Sequence, residues 1–296
     1  RRKIPMDRAK IVLFAYSEVG CLCLEKLIKE GVNVAAVFTH NDDPGEEIWF
    51  RSVRAIAEKS GIPVHTPQKL GTQETDYLRS LKPELILSCY YRALIPKAVL
   101  DMPRLGAYNI HGALLPKYRG RACVNWAVLN GEKETGATLH VMTERADRGD
   151  IVDQERVPIE FTDTAYDVFM KVAEAARLIL ARRLPELEAG TAPRHPQDEA
   201  EATYFGRRRP EDGEIDWDKS AVEIYNLIRA VTHPFPGAFT ELAGKKYYIW
   251  KARPLEGSAA PSKIVSDNPP VVGTGCGLLE ILRLQPEGGE EGETFQ

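Results

Sequence analysis

The sequence predicts a doubly wound α/β domain followed by a smaller β-barrel domain. Two observations support this prediction. Through the first two thirds of the chain, short apolar runs alternate with helical segments, which is typical of βαβ units around a parallel sheet. After a polar, proline-containing connection, short strands separated by glycine-rich turns follow, a pattern that favours a small barrel. With 296 residues, of which 43% are hydrophobic, the chain can build a core in each domain.

The first domain is expected to span residues 8–189. It opens with strand 10–15, the turn 16–20, helix 21–30 and strand 32–38. Because this turn offers Gly20 but no G-x-G-x-x-G, a dinucleotide cofactor is not predicted. The remaining predicted elements are helices at 46–60, 73–81, 122–130 and 162–188 and strands at 63–67, 84–89, 107–111, 138–142 and 153–159.

A connection at residues 190–203 leads to the second domain, 204–296. Its predicted elements are a helix at 220–231, strands at 238–242, 246–251, around 264–265 and 277–284, and a terminal loop from 286 to 293. The edges of such strands could pair with another copy of the chain, so a homo-oligomer is a further expectation.

Composition argues against several classes of protein. A net charge of −4 and a pI of about 6.0 lack the basic footprint of a nucleic-acid-binding chain, so no such partner is expected. No stretch is long and apolar enough to span a membrane, and the start, Arg1 to Asp7, has no apolar run that would make it a signal peptide. Five cysteines without zinc spacing predict reduced, mostly buried thiols, a cytoplasmic location and no metal site.

The central stretch, residues 106–151, carries the candidate chemistry. In the predicted strand 107–111, Asn109 and His111 alternate with apolar residues, so their side chains share one face. Asp147 lies in the loop after the strand at 138–142 and can reach the pair if the two strands are neighbours. Taken singly, each residue has an ordinary structural explanation. Together, an amide, an imidazole and a carboxylate suit acyl transfer, because Asn and protonated His stabilise an oxyanion and a carboxylate assists proton removal.

Two further loops are candidates for ligand contacts. The loop after strand 84–89 could cover a flat heterocycle or simply pack into the core, and both interpretations stay open; it contains Tyr90, Tyr91, Arg92, Leu94 and Ile95. A basic loop between the central strands suits an anionic substrate, although its charges are equally explained by solvation; it contains Lys117, Arg119 and Arg121.

Linked motifs in this order resemble the formyltransferases that use 10-formyltetrahydrofolate. They are Asn109-x-His111-Gly-Ala-Leu-Leu-Pro-x-Tyr-Arg-Gly, Thr135-Gly-Ala-Thr-Leu-His140 and Asp147-x-Gly-Asp-Ile. The resemblance covers nearly the whole chain and implies a Rossmann-like catalytic domain, an OB-like second domain and 10-formyltetrahydrofolate as co-substrate. It also implies that Asn109, His111 and Asp147 are catalytic. The pterin would lie near Asp147 and the loop formed by Tyr90, Tyr91, Arg92, Leu94 and Ile95.

Within this family, three details point to a nucleotide-linked amino sugar as acceptor. The loop at residues 41–47 is acidic, whereas the tRNA-specific branch has a longer, basic loop there. The second domain shows no basic face beyond residues 207–209. The motifs around Tyr16, Gly20 and residues 90–92 look most like the enzyme acting on UDP-4-amino-4-deoxy-L-arabinose. The resemblance therefore implies substrate contacts by Tyr16, Gly20, Lys117, Arg119, Arg121, Arg207 and Arg208, the arginines being candidates for the diphosphate.

Three alternatives compete with this hypothesis. Methionyl-tRNA formylation is the rival within the same chemistry, and it would show salt-sensitive tRNA binding. A non-catalytic folate or nucleotide-sugar binding protein is the rival of another class, but pure binding does not need the Asn/His/Asp trio. Glycinamide ribonucleotide formyltransferases share the trio but stop after one domain, which argues against them here.

Overall fold

The computed structural model describes residues 8–242 and 244–292. The expected absence of a signal peptide at Arg1 to Asp7 concerns residues outside this range. The strands are β1 Lys10–Ala15, β2 Asn33–Phe38, β3 Val64–His65, β4 Leu85–Cys89, β5 Ala107–His111, β6 Arg119–Gly120, β7 Glu134–Val141, β8 Ile151–Pro158, β9 Tyr204–Phe205, β10 Ala238–Leu242, β11 Lys245–Leu255, β12 Ile264–Asp267, β13 Pro270–Gly273 and β14 Leu278–Pro286. The α-helices are α1 Ser17–Lys29, α2 Val53–Lys59, α3 Thr72–Leu81, α4 Lys97–Leu100, α5 Cys123–Leu129, α6 Ala165–Ala189 and α7 Ala221–Val231.

The larger sheet has seven strands in the order β3-β2-β1-β4-β5-β7-β8. The pairs from β3 to β5 are parallel, whereas β7 runs antiparallel to β5. The chain runs outward from β1 to β3 on one side and resumes with β4 on the other, so the switch in strand order lies between β1 and β4. In such sheets ligands bind outside the carboxyl ends of the strands at this switch. The predicted α/β class is confirmed.

The core of the larger sheet follows from strand alternation. On one face, Val12, Phe14 and Ile86 pack with Leu78 of α3 and Val99 of α4. The neighbouring residues Ile11, Leu13, Leu85 and Leu87 point to the other face and are fully or almost fully buried. On average, a buried Leu or Ile side chain of this kind contributes about 1.5–3 kcal/mol.

Two predicted helix boundaries are wrong. Helix α1 begins at Ser17 rather than at residue 21, so Gly20 lies inside the helix instead of in the turn. The expected helix at 46–60 is reduced to α2, because residues 46–52 contain little periodic apolar sequence and form an irregular segment. The Ser52 hydroxyl caps α2 by accepting a hydrogen bond from the Ala55 amide at 3.2 Å.

The second domain contains a five-stranded antiparallel sheet in the order β10-β11-β14-β13-β12. Helix α7 packs against β11 and against α5. Its capping box, formed by Ser220 and Glu223, fixes where it begins. The predicted small β domain is confirmed. Strand β13 was not predicted, because a run of four residues that begins with the second of two consecutive prolines carries little strand signal.

The chain divides into two compact units that interleave along the sequence. The first comprises residues up to 120, 135–157 and 170–204, and the second comprises 121–134, 158–169 and the residues from 205 onward. The boundaries predicted at 189 and 204 stay predictions. Within residues 8–242 and 244–292, no helix is both long enough and apolar enough to cross a membrane.

Candidate active site

Strands β5 and β7 bring four polar side chains together. In their antiparallel register, Asn109 lies opposite His140 and His111 lies opposite Thr138. Because alternate residues of a strand share a face, all four project to the same side of the sheet. His140 and Thr138 are almost fully buried and His111 is 7% exposed, so their hydrogen bonds form in a largely dry environment.

His140 fixes the orientation of the Asn109 amide. The His140 Nδ1 lies 2.9 Å from the Val141 carbonyl oxygen, which can only accept, so Nδ1 carries the proton. Burial lowers the pKa of His140 to about 4, and the ring is therefore neutral at physiological pH. Its Nε2 then accepts a hydrogen bond from Asn109 Nδ2 at 3.1 Å. The Asn109 amide is thereby held with one N–H bonded to His140 and a second N–H remaining on the same nitrogen.

His111 lies between a backbone carbonyl and a carboxylate. Its Nε2 donates to the Tyr118 carbonyl oxygen at 2.7 Å, and its Nδ1 lies 3.5 Å from Asp147 Oδ1. The same carboxylate oxygen is 3.8 Å from His140 Nε2, while Asp147 Oδ2 accepts from the Gly120 amide at 3.0 Å. Since Nε2 is committed to a carbonyl, a second proton on His111 resides on Nδ1 and faces Asp147.

The loop after β5 rests on Thr138. Its hydroxyl donates to the Ala113 carbonyl at 2.6 Å and accepts from the Leu115 amide at 3.1 Å and from Gln154 Nε2 at 2.9 Å. Every hydrogen-bonding position of this buried hydroxyl is used. The chain therefore leaves β5 along a fixed path that returns Tyr118 and Gly120 to the His111 and Asp147 side chains.

The loops after β1 and β4 meet at the switch in strand order. The Arg92 guanidinium lies 4.7 Å from the Tyr16 ring centroid and forms two hydrogen bonds with Glu46, at 2.6 and 2.9 Å. Burial, and then the hydrogen bond to Asp42, raise the pKa of Tyr16 to about 12. The acidic loop is thus connected to both predicted ligand loops. A polar cavity of about 120 Å³ lies beside Tyr16 and is lined also by Thr39, Asn41, Asp42, Phe50 and Arg51.

The predicted heterocycle loop divides into inward and outward residues. Tyr91 stacks on His40 at 4.2 Å between centroids, and Tyr91 and Ile95 pack against the core. The Tyr90 hydroxyl lies directly over Gly112, where a Cβ would come within 1.7 Å of it. Leu94 is 79% exposed. The loop therefore presents an apolar side chain to solvent at the edge of the sheet that carries His111.

The predicted anion-binding residues are not equivalent. Lys117 is exposed, but Arg119 is 2% exposed and its guanidinium bonds to Glu199 and Gln197. Gly20 is buried within α1, where a Cβ would lie 3.0 Å from Ala15 and Val53 side-chain atoms. Its amide donates to the Tyr16 carbonyl, so Gly20 serves helix packing rather than offering an N–H to a ligand.

Three predicted arginines belong to the second unit. Arg121 and Arg207 are exposed. Arg208 is half-buried, lies 4.7 Å from the Trp126 ring centroid and donates to the Asp212 carbonyl at 2.8 Å. Burial lowers the pKa of Arg208, which nevertheless remains a cation at neutral pH.

Sequence reasoning missed His140, although the signal was present. Thr138 and His140 alternate in an apolar strand in the same way as Asn109 and His111. What the sequence lacked was the antiparallel register that places the two pairs opposite each other. Within the described ranges, no cluster of three or more His, Cys, Asp or Glu residues could hold a metal ion. The groups that this site offers are an amide donor, an imidazole and a carboxylate, which can stabilise an oxyanion and accept a proton.

Solved structures share this fold at low sequence identity. An N-formyltransferase from Helicobacter canadensis, in complex with folinic acid and dTDP-3-aminofucose, has a TM-score of 0.73 at 20% identity, covering 93% of this chain and 99% of its own. A 4-N formyltransferase from Francisella tularensis has a TM-score of 0.65 at 23% identity, covering 80% and 95%. HypX from Aquifex aeolicus, in complex with tetrahydrofolic acid, has a TM-score of 0.66 at 20% identity, covering 94% and 44%.

The sequence also matches two family descriptions. Residues 208–293 match the C-terminal domain of formyl transferases. Residues 9–184, which contain every member of the Asn109, His111, His140 and Asp147 cluster, match the formyl transferase family itself. Since this match covers more than half of the chain, the protein belongs to the formyl transferase family.

Proposed function

We propose that this protein transfers a formyl group from 10-formyltetrahydrofolate to the primary amine of a nucleotide-linked amino sugar. The observation that carries the proposal is the convergence of Asn109, His111 and Asp147 on one face of the sheet, with Asp147 Oδ1 3.5 Å from His111 Nδ1. These three groups match what formyl transfer requires, namely stabilisation of an oxyanion and acceptance of a proton.

The transfer forms a bond between the acceptor nitrogen and the formyl carbon and breaks the bond from that carbon to N10 of the folate. The remaining N–H of Asn109 donates to the formyl oxygen. Protonated His111, whose N–H groups face the Tyr118 carbonyl and Asp147, stabilises the developing negative charge through its own positive charge. Asp147 orients His111 and accepts the proton that the attacking amine loses, and this proton is available to the departing N10. His140 stays neutral and keeps the Asn109 N–H groups directed as donors.

The loop after β4 fits the formyl donor. Leu94 is 79% exposed, and Tyr90 lies against Gly112 at the end of the strand that carries His111. An exposed leucine beside a hydrogen-bonding site is suited to cover a flat ring system. Arg92 and Tyr16 flank the same edge, and the Arg92 charge is balanced by Glu46.

The acidic loop supports a sugar-nucleotide acceptor rather than tRNA. Arg92 balances the charge of Glu46, but Asp42 accepts only from the Tyr16 hydroxyl among the described contacts. The negative charge of Asp42 therefore lies beside the predicted ligand loops and would repel a polyphosphate strand. One structural relative is an N-formyltransferase in complex with dTDP-3-aminofucose, and another is described as a 4-N formyltransferase. Within this class we propose UDP-4-amino-4-deoxy-L-arabinose as the acceptor.

An acceptor screen tests the proposal. Purified protein is supplied with 10-formyltetrahydrofolate, and release of tetrahydrofolate is followed with UDP-4-amino-4-deoxy-L-arabinose, dTDP-linked 3-amino and 4-amino sugars, and methionyl initiator tRNA. Product formation is verified by mass spectrometry as a gain of one formyl group. The screen is repeated with Asp147→Asn, for which Glu144→Gln is the matched control, because Glu144 is exposed on the same loop as Asp147.

We expect turnover with one nucleotide sugar and none with the tRNA. Turnover with a dTDP sugar alone would keep the class and change the acceptor. Turnover with the tRNA alone, accompanied by salt-sensitive binding, would replace the proposal by methionyl-tRNA formylation. Binding of both ligands without any formyl transfer would identify a binding protein instead.

A further inference from the structure

In the polar connection before the second domain, each end of the Gln197 side-chain amide makes two hydrogen bonds. Its Nε2 donates to the carbonyl oxygens of Asp147 and Gly149, at 2.9 and 2.7 Å. Its Oε1 accepts from Arg119 Nη2 and Nε, at 2.8 and 3.2 Å. Carbonyls only accept and guanidinium groups only donate, so the orientation of this amide is unambiguous. Gln197 therefore binds the backbone at both ends of the turn that carries Asp147.

That turn requires support. Asp147 has a φ of +59°, a left-handed conformation that is strained for a residue other than glycine. Gly149 packs so closely against β7 that a Cβ would lie 1.8 Å from the Val141 carbonyl oxygen. The position of the Asp147 carboxylate thus depends on a tight, strained backbone whose two outward carbonyls are the groups that Gln197 binds.

The same segment holds the opposite side of the site. The Arg119 guanidinium, which contacts Gln197, also bonds to Glu199 at 2.7 and 2.9 Å. Thr203 accepts from the Arg119 amide through its carbonyl at 3.0 Å and from the Tyr118 amide through its hydroxyl at 2.8 Å. The peptide at 118–120 is the one that binds His111 through the Tyr118 carbonyl and Asp147 through the Gly120 amide.

We propose that residues 195–203 form a clamp on the active site and that Gln197 is a positioning residue for Asp147. The clamp segment pairs with β8 at its start, where His195 and Ile151 exchange backbone hydrogen bonds of 2.8 and 2.9 Å. From this anchor it fixes the 147–149 turn through Gln197 and the 118–120 peptide through Thr203. Its role in turnover rests on the proposed function, whereas its role in positioning does not.

The Gln197→Glu substitution tests the proposal at constant side-chain size. A carboxylate keeps the bonds to Arg119 but places an oxygen against two carbonyl oxygens, so the turn is released. We expect kcat to fall about 10- to 100-fold while KM for donor and acceptor changes less than about threefold, as for a small misplacement of a reacting group. Gln285→Glu is the matched control, because Gln285 bonds Trp250 through Oε1 and the Gly289 carbonyl through Nε2 in the second unit.

Amide hydrogen exchange supplies a readout that needs no substrate. The Gly120 amide donates only to the Asp147 carboxylate among the described contacts, so its protection reports where that carboxylate is. In Gln197→Glu we expect Gly120 to exchange at least about tenfold faster, as in Asp147→Ala, while Met142, which donates to the Ala107 carbonyl, stays protected.

The outcomes separate the clamp from the proposed function. Loss of Gly120 protection supports the clamp even if the wild-type protein formylates none of the amino sugars, in which case the proposed function alone fails. Unchanged protection at Gly120, an unchanged kcat in an active enzyme, or an equal loss of protection at Met142 would each overturn the clamp, the last because it would indicate general unfolding.

Discussion

Two loops of the larger sheet are built in opposite ways. The loop carrying Asp147 is fixed from behind: Gln197 binds its backbone, Gly120 binds its carboxylate, and the His140 beneath it is almost fully buried. The loop at residues 90–96 is anchored by inward residues but leaves Leu94 79% exposed. Under the proposed function, the groups that move protons are held at fixed distances, whereas the surface that would receive the folate is left uncovered.

The Asp147→Asn substitution is expected to have the largest effect. The amide keeps the size of the carboxylate but cannot accept the proton of the attacking amine, so we expect kcat to fall by about 10²- to 10⁴-fold. Thermal unfolding and steady-state formylation should be measured together. Glu144→Gln, on the same loop, should retain the wild-type rate. A wild-type rate in Asp147→Asn would remove this residue from the mechanism.

The burial of His140 should make the free energy of unfolding depend on pH. The pKa of His140 is about 4 in the folded protein against 6.5 for an ordinary histidine. Between these pH values the unfolded chain therefore binds more protons than the folded protein. The contribution of neutral His140 to the free energy of unfolding is fully present above pH 6.5 and is lost as pH falls toward 4. Between pH 7.5 and 5, this single group should cost about 2 kcal/mol of unfolding free energy.

Urea unfolding of His140→Gln at these two pH values checks that expectation, because glutamine does not titrate. The variant should lose about 2 kcal/mol less than the wild type over the same interval. His195→Gln is the control, since His195 is exposed and its contacts with Ile151 are made by the backbone. Identical pH slopes in His140→Gln and the wild type would mean that His140 titrates in the folded protein as it does in the unfolded chain.

On the open side, Leu94→Ser should affect binding and leave folding intact. Because Leu94 is mostly exposed, its truncation removes little folding energy, but covering it with a ligand contributes about 1.5 kcal/mol or more. We expect KM for 10-formyltetrahydrofolate to rise about tenfold with kcat within about twofold. Leu178→Ser, at another exposed leucine, is the control. A drop in kcat with unchanged KM would indicate that Leu94 positions the reacting groups rather than binding the formyl donor.

The smallest effect is expected from Glu46→Gln. The Arg92–Glu46 pair is 49% and 40% exposed, and exposed ion pairs contribute about 0–1 kcal/mol. The unfolding free energy should therefore change by less than about 1 kcal/mol, and less still in high salt. Glu58→Gln, which removes the exposed pair with Arg54, provides a matched comparison. A loss of unfolding free energy above about 2 kcal/mol would show that the 41–47 loop contributes strongly to the stability of the fold.

Local sequence was sufficient for much of the fold. The alternation of apolar runs and helical segments predicted the strands from β1 to β5, because period and length distinguish a buried strand from an amphipathic helix. The alternation of Asn109 and His111 predicted that both side chains share a face, since this follows from backbone geometry alone. The start of α1 could not be predicted, because Ser17, the first residue of α1, has a positive φ that its sequence does not announce.

The remaining features depend on contacts between residues far apart in the chain. The sequence determined which side chains line β5, but only the antiparallel pairing with β7 placed His140 against Asn109. Arg119 looked like a surface cation in a basic loop, and tertiary structure buried it against residues 78 and 80 positions away. Gln197 lay in an apparently passive connection, yet it binds a turn 48 to 50 positions earlier. Periodicity reports only a residue's own element, so such partners are decided where distant elements meet.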